Sequence, residues 1–266
     1  MSSERISASY PLSAMQQGML FHSVYDPRAG CYVQQMVCRL REELDLIGLE
    51  RAWQQTVDRY DILRTSFKLS IDQSLQEVHP HVTIGVTEFD LRSLAEEQQR
   101  QEIDRYLESD RVRGFDLSEA PLMRLAVFHL GEADHCMIWT FHHALLDGRS
   151  HHQVIKEVLS AYDAARNGEE TKLDEPRPYQ DYIEWLNRQD WHDAEKFWRG
   201  RLKGFCSPAA FSNGKSEVGC GEFGVRQQRI SETTTAQLKL VLQQEGLTLN
   251  TLLQGAWGLL LSQHTG

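Results

Sequence analysis

The sequence has no segment able to hide in a bilayer. Its longest apolar run, near "LLQGAWGLLL", falls well short of the ~20 residues that a spanning helix needs. The start, "MSSERISASYPLS", lacks the apolar core of a signal peptide. There is no C-x-x-C pair. Five cysteines stand apart at 31, 38, 136, 206 and 220, an odd number that fits reduced thiols and a cytoplasmic location better than a disulfide framework. Positive charge is scarce as well: 28 Lys and Arg face 38 Asp and Glu, for a net charge of −10. Nucleic-acid binding needs clustered cations, so that partner class is not expected. "GCGEFG" follows no strand and opens no helix, so it is no phosphate-cradling loop. No G-x-S-x-G nucleophile elbow occurs, and no repeat or low-complexity tract.

What is present is ordinary globular material. Hydrophobic residues make up 41% and charged residues 25% of 266, enough for one large domain or two modest ones. Apolar spacing predicts helices over 12–25, with Ser13 as a cap, and over 46–60. Strands are expected in "CYVQQMVCRL", "ILRTSFKLSI" and "VHPHVTIGVTEFDL". Residues 94–113 read as a solvated surface helix with a thin stripe of Leu94, Ile103, Tyr106 and Leu107. "PLMRLAVFHL" and "HCMIWTFHHA", joined by "GEAD", read as an antiparallel hairpin. Helices follow over 149–166, 179–189 and 191–202. A further strand is expected at "GVRQQRI", then helices over 233–245 and 250–262. Strands and helices mix without regular βαβ alternation, which predicts an α+β sandwich with a mixed or largely antiparallel sheet.

Chemistry concentrates in "TFHHALLDGRS", Thr140–Ser150. Neighbouring side chains on a strand point to opposite faces, so one of His142 and His143 faces the core and the other a cleft. A histidine at a strand end suits proton transfer, because its ordinary pKa of about 6.5 lies near working pH. Asp147 can orient a histidine, pair with an arginine or cap the next helix. Gly148 can take backbone angles closed to other residues. His151 and His152 raise the question of a metal, but one pair ends a strand and the other starts a helix. No metal is expected. The residues alone point to general acid–base work.

His142, His143, Asp147 and Gly148 resemble, position by position, the HHxxxDG signature of condensation domains of nonribosomal peptide synthetases, which are chloramphenicol acetyltransferase-like acyltransferases. "LSAMQQGMLFHS", "RYDILRTSF", "GFDLSEAPLMR" and "YQDYIEW" resemble further segments of that family, in order. Tyr60 stands where the family usually has histidine. "TLNTLLQGAWGLLLSQHTG" resembles the helix that opens the family's second lobe.

The resemblance implies the chloramphenicol acetyltransferase-like sandwich, with a first lobe over 1–170 and connector helices plus the beginning of an incomplete second lobe over 171–266. It implies amide bond formation. A donor acyl group passes from the phosphopantetheine thioester of one carrier protein to the amine of an aminoacyl group on another. The phosphopantetheine is a substrate arm, and no bound cofactor is expected. Donor and acceptor carriers and adjoining synthetase domains are the implied partners, without nucleic acid or membrane. By this carry-over His143 is the functional histidine, with Phe141 and Trp139 on its strand face. His142 is structural, Asp147 forms a buried ion pair with Arg64, and Gly148 lets the backbone approach the substrate.

Arg149 departs from the bulky apolar residue that often follows DG. The family's fifth motif and most of its second lobe have no counterpart, so residue 266 is expected to fall inside a domain. A noncatalytic carrier-docking lobe and a single-lobed standalone acyltransferase are the alternatives. An epimerisation domain shares the signature and is a lesser one.

Overall fold

The fold is described from a computed structural model, covering residues 6–169, 173–205 and 228–265. Two compact units divide between Gln189 and Asp190.

The first unit opens with β1 (Ala8–Pro11) and α1 (Ala14–Tyr25). Next come β2 (Val33–Leu40) and α2 (Leu46–Arg59). A 3-10 turn (Asp61–Arg64) leads into β3 (Thr65–Lys68), β4 (Leu75–Val78) and β5 (Val86–Asp90). Then follow α3 (Glu96–Arg113), β6 (Met123–Gly131), β7 (Asp134–His142), α4 (Ser150–Asn167) and α5 (Tyr179–Asn187). The second unit contributes α6 (Trp191–Arg201), α7 (Glu232–Gln244) and α8 (Leu249–Thr265).

Four strands form the main sheet in the order β2-β7-β6-β5. β7 pairs antiparallel with both β2 and β6, whereas β5 runs parallel to β6. The sheet is therefore mixed, as expected. Strand alternation sorts β6 and β7 onto two faces. Leu125, Val127, Met137, Trp139 and Phe141 meet Leu49, Trp53 and Val57 of α2 and Val154, Val158 and Tyr162 of α4. Trp53 and Trp139 lie 4.9 Å apart at their ring centres. Ala126, Phe128, Leu130, Cys136 and Ile138 face the other way, under Ile103, Tyr106 and Leu107 of α3. The thin apolar stripe of α3 is thus the edge that docks it. A smaller antiparallel sheet, β1-β4-β3, carries Tyr10 and Val78, which are buried together with Ile183 of α5.

Two expectations change. The strand expected from Ile62 begins only at Thr65, because Asp61–Arg64 closes into a turn with the Leu63 N–H on the Tyr60 carbonyl at 3.0 Å. α1, expected from its apolar spacing, buries only Gln16 and Leu20, while the apolar Met15 and Phe21 are exposed. The strand expected at 224–230 lies mostly outside the described residues, as do Cys206 and Cys220. Among the described residues no helix is long and apolar enough to cross a membrane.

Candidate active site

β7 ends at His142, and the chain turns at once. The Leu145 N–H donates to the His142 carbonyl at 3.0 Å, closing a turn with His143 and Ala144 at its centre. β2 fixes the entry to that turn. Val33 is the partner of His142 in the sheet, and the His143 N–H donates to the Tyr32 carbonyl at 2.8 Å.

The two histidines separate as strand alternation requires. His142 is 2% exposed, with Tyr32 and Phe115 each 6.4 Å away ring to ring. Its Nδ1 accepts the Ala144 N–H at 3.1 Å. Ser23 spends its single proton on the Met19 carbonyl, so the His142 Nε2–H donates to Ser23 Oγ, at 3.0 Å. Both ring nitrogens are therefore satisfied in the neutral form. Burial, and secondarily the nearness of His143, pushes the His142 pKa down to about 4. An unfolded chain would titrate this ring near 6.5, so between about 6.5 and 4 the unfolded state binds more protons than the folded one. Stability contributed by neutral His142 is thus present above 6.5 and lost as pH falls toward 4. We expect His142→Gln to flatten the decline between pH 7 and pH 5, measured by urea unfolding. An unchanged slope would show that other groups cause it.

His143 is only partly buried. Its Nδ1 lies 2.7 Å from the Leu146 carbonyl, which can only accept, so Nδ1 carries the proton. In the neutral ring Nε2 then holds the free lone pair. No described residue is bonded to it, and it is not among the sealed, unpaired polar atoms. This is the state a general base requires.

Asp147 does not meet Arg64. Arg64 is 8% exposed and spends its guanidinium on the carbonyls of Val57, His79 and Pro80 and on the Asp61 carboxylate, 2.6 Å away. The 3-10 turn places Asp61 three residues before Arg64, within easy reach. Asp147 is exposed and turns to the start of α4. Its Oδ1 accepts the Ser150 hydroxyl at 2.7 Å, the Ser150 N–H at 2.8 Å and the Arg149 N–H at 3.1 Å. These bonds, the Ser150 hydroxyl first, hold its carboxyl below the usual range. The cap position of α4 is Arg149, which no side chain caps, so of the roles left open by the residues Asp147 takes none outright: it closes the turn that leads into the helix. Asp147→Ala should cost about 0.5–1.5 kcal/mol of stability, the usual net worth of a lost hydrogen bond, read from denaturant midpoints. A loss well beyond that would point to a further partner.

Gly148 is exposed, and its φ lies outside the left-handed region. A Cβ built there would meet nothing within 4 Å. The chain's own folding therefore does not need glycine here. Arg149 is exposed. Phe141 sends its ring contacts to Trp139 at 4.5 Å and to His151 at 5.7 Å. His151 and His152 each bond a carbonyl four residues back. Among the described residues no group of three or more potential ligands is placed to hold a metal.

Two supports escaped the sequence reading. Ser23 holds His142, and Gln16, 2% exposed, reaches the Ala144 carbonyl at 3.2 Å. The signal for Gln16 was the spacing Ser13-x-x-Gln16, a capping box, which the structure contains in full.

The condensation-domain model matches residues 6–266. The chain is 42% identical over 262 residues to a linear gramicidin synthase of Brevibacillus parabrevis, covering 97% of this chain and 3% of that protein. It is 37% identical over 265 residues to bacitracin synthase 1 of Bacillus licheniformis, covering 98% and 5%. Among solved structures, the starter condensation domain of rhizomide synthetase aligns with a TM-score of 0.67 at 20% identity, over 77% of this chain and 50% of that one. The first condensation domain of the CDA synthetase gives 0.66 at 19%, over 75% and 50%. The chain thus spans about half the length of these solved domains and a few per cent of the synthetases.

Proposed function

The chain belongs to the condensation-domain family, and on that premise we propose that it forms amide bonds between carrier-bound groups. A family of this kind implies a peptide-bond-forming acyltransferase. The amine of an aminoacyl group on one carrier attacks the thioester carbon of an acyl group on another. A C–N bond forms, the C–S bond breaks, and the phosphopantetheine thiol leaves. His143 accepts the amine proton on Nε2 as the bond forms and returns a proton to the departing sulfur. Charge and protons then balance with no cofactor of the protein's own.

The observation that carries this reading is the state of His143. Its Nδ1–H is tied to the Leu146 carbonyl, leaving Nε2 as an open acceptor on a fixed ring. Nothing comparable is true of His142, whose two nitrogens are occupied. His142 accordingly shapes the turn, and Asp147 anchors its far end to α4. The open space beside Gly148 is where the substrate arm would lie against the backbone.

The test is direct. The protein is mixed with a donor-loaded and an acceptor-loaded carrier, and intact-protein mass spectrometry follows the acceptor. We expect the acyl group to appear on the acceptor amine as the donor carrier loses it. Binding of both carriers with no transfer would reverse the reading, in favour of a docking lobe.

A further inference from the structure

The residue after His143 is gripped from both sides. The Ala144 N–H donates to His142 Nδ1 at 3.1 Å, and the Ala144 carbonyl accepts from Gln16 Nε2 at 3.2 Å. Gln16 lies 128 residues away in sequence, in the first turn of α1. Its amide has only one workable orientation. Oε1 accepts the Ser13 N–H at 2.9 Å and the Ser13 hydroxyl at 3.1 Å. Flipping the amide would set Nε2 against the Ser13 N–H and Oε1 against the Ala144 carbonyl, two repulsive contacts.

A second buried amide locks the first. Gln76 of β4, 0% exposed, exchanges bonds with Gln16 at 3.2 and 3.3 Å and donates to the Pro11 carbonyl at 2.8 Å. The smaller sheet, the start of α1 and the histidine turn therefore meet through two side chains. A capping box closes with Ser13 and the Gln16 acceptor alone. The Nε2 bond to Ala144 is surplus to that task.

We infer that Gln16 is a positioning residue for His143, holding the centre of the turn so that the ring keeps its single tautomer. This rests on the acyl-transfer reading only for its consequence, not for its geometry. With the Ala144 carbonyl released, the turn can rock, and the bond from His143 Nδ1 to Leu146 O at the other end of the same turn is strained or lost. The proton then distributes over both ring nitrogens, and Nε2 is no longer always the acceptor.

The readout is the pair of nitrogen-15 shifts of the His143 ring, recorded on the 266-residue protein. Gln16→Met keeps the length of the side chain and removes the donor. Leu130→Ala is the control, since Leu130 is 8% exposed in the core cluster on the α3 side of the sheet. It lowers stability without touching the turn. The wild-type ring should show one protonated and one bare nitrogen well separated. In Gln16→Met the two shifts should move toward each other, and in Leu130→Ala they should stay. Transfer by Gln16→Met should fall about 10- to 100-fold in kcat with carrier KM little changed, the pattern of misplacement rather than lost binding.

Wild-type ring shifts in a folded Gln16→Met protein would overturn the inference. Should that variant not fold, the wild-type chain decides. The Gln16 side-chain amide must exchange with solvent far more slowly than that of exposed Gln101, and exchange at the same rate would overturn the inference too. A wild-type protein that transfers nothing would sink the acyl-transfer reading while leaving the ring shifts to judge Gln16.

Discussion

Replacing His143 by alanine should lower transfer by about 100- to 10,000-fold, the range spanned by a positioned acid–base group. The loss should fall on kcat, because in the proposed reaction the ring takes the amine proton during attack. The fold should survive the change. His143 sits past the end of β7, is partly exposed, and gives up a single side-chain hydrogen bond, to the Leu146 carbonyl. One such bond is worth about 0.5–1.5 kcal/mol. The measurement is a single-turnover time course of acyl appearance on the acceptor carrier, with a denaturation curve on the same sample. A folded variant retaining more than about a tenth of wild-type transfer would remove His143 from the chemistry. It would leave proximity of the two loaded arms as the main source of rate. His142→Ala is the informative contrast. That ring is sealed between Ser23, Tyr32 and Phe115, so its loss should show in stability before rate.

Arg124→Met should destabilise the first unit by about 3–5 kcal/mol, the usual result of leaving one member of a buried pair behind. Asp110 is 3% exposed at its side chain and Arg124 19%. Arg124 Nε meets Asp110 Oδ1 at 2.8 Å, while its other nitrogens bond the carbonyls of Gly114 at 2.7 Å and Asp110 at 3.1 Å. The same guanidinium lies 4.0 Å from the centre of the Phe115 ring. Methionine fills the space and offers none of these donors. Among the described residues, the Asp110 carboxylate would keep only the long contact from Gln35 Nε2, at 3.4 Å. Against a total of roughly 5–15 kcal/mol this is a large fraction, so urea midpoints should move clearly. The double variant Asp110→Asn/Arg124→Met should recover part of the loss, since the stranded charge is gone. A single-variant cost under about 1 kcal/mol would mean that the pair merely balances its own desolvation. Phe115 also touches His142 edge-on, so Arg124→Met should loosen the ring's pocket as well.

Much of this was open to reading from the residues. The hairpin of β6 and β7 showed itself in alternation and a short polar turn. The split between His142 and His143 followed from the period of a strand. Both are local rules, with their causes within a few residues. The partner of Arg64 was not local in the same sense. Several carboxylates and carbonyls compete for a buried guanidinium, and the winner depends on a 3-10 turn that strand-like residues conceal. Asp61 wins because that turn brings it within reach, and Asp147 is left to close the turn ahead of α4. The parallel pairing of β5 with β6 was equally hidden, because period-2 patterns fix a face and not a direction. Gln16 was written in the sequence as half of a capping box. Its second bond spans most of the first unit, and no periodicity reports a contact of that span.

That long-range grip sets the unit in which this site can be inherited. The seven-residue motif looks portable, yet its supports come from Gln16, Ser23 and Tyr32 on one side and Ser150 on the other. A recombination junction anywhere between Ser23 and Thr140 parts the histidine turn from some of the side chains that hold it. Shuffling of such chains therefore preserves the site only when the exchanged block carries everything from Ser13 to Ser150, or when both parents already share the same hidden braces.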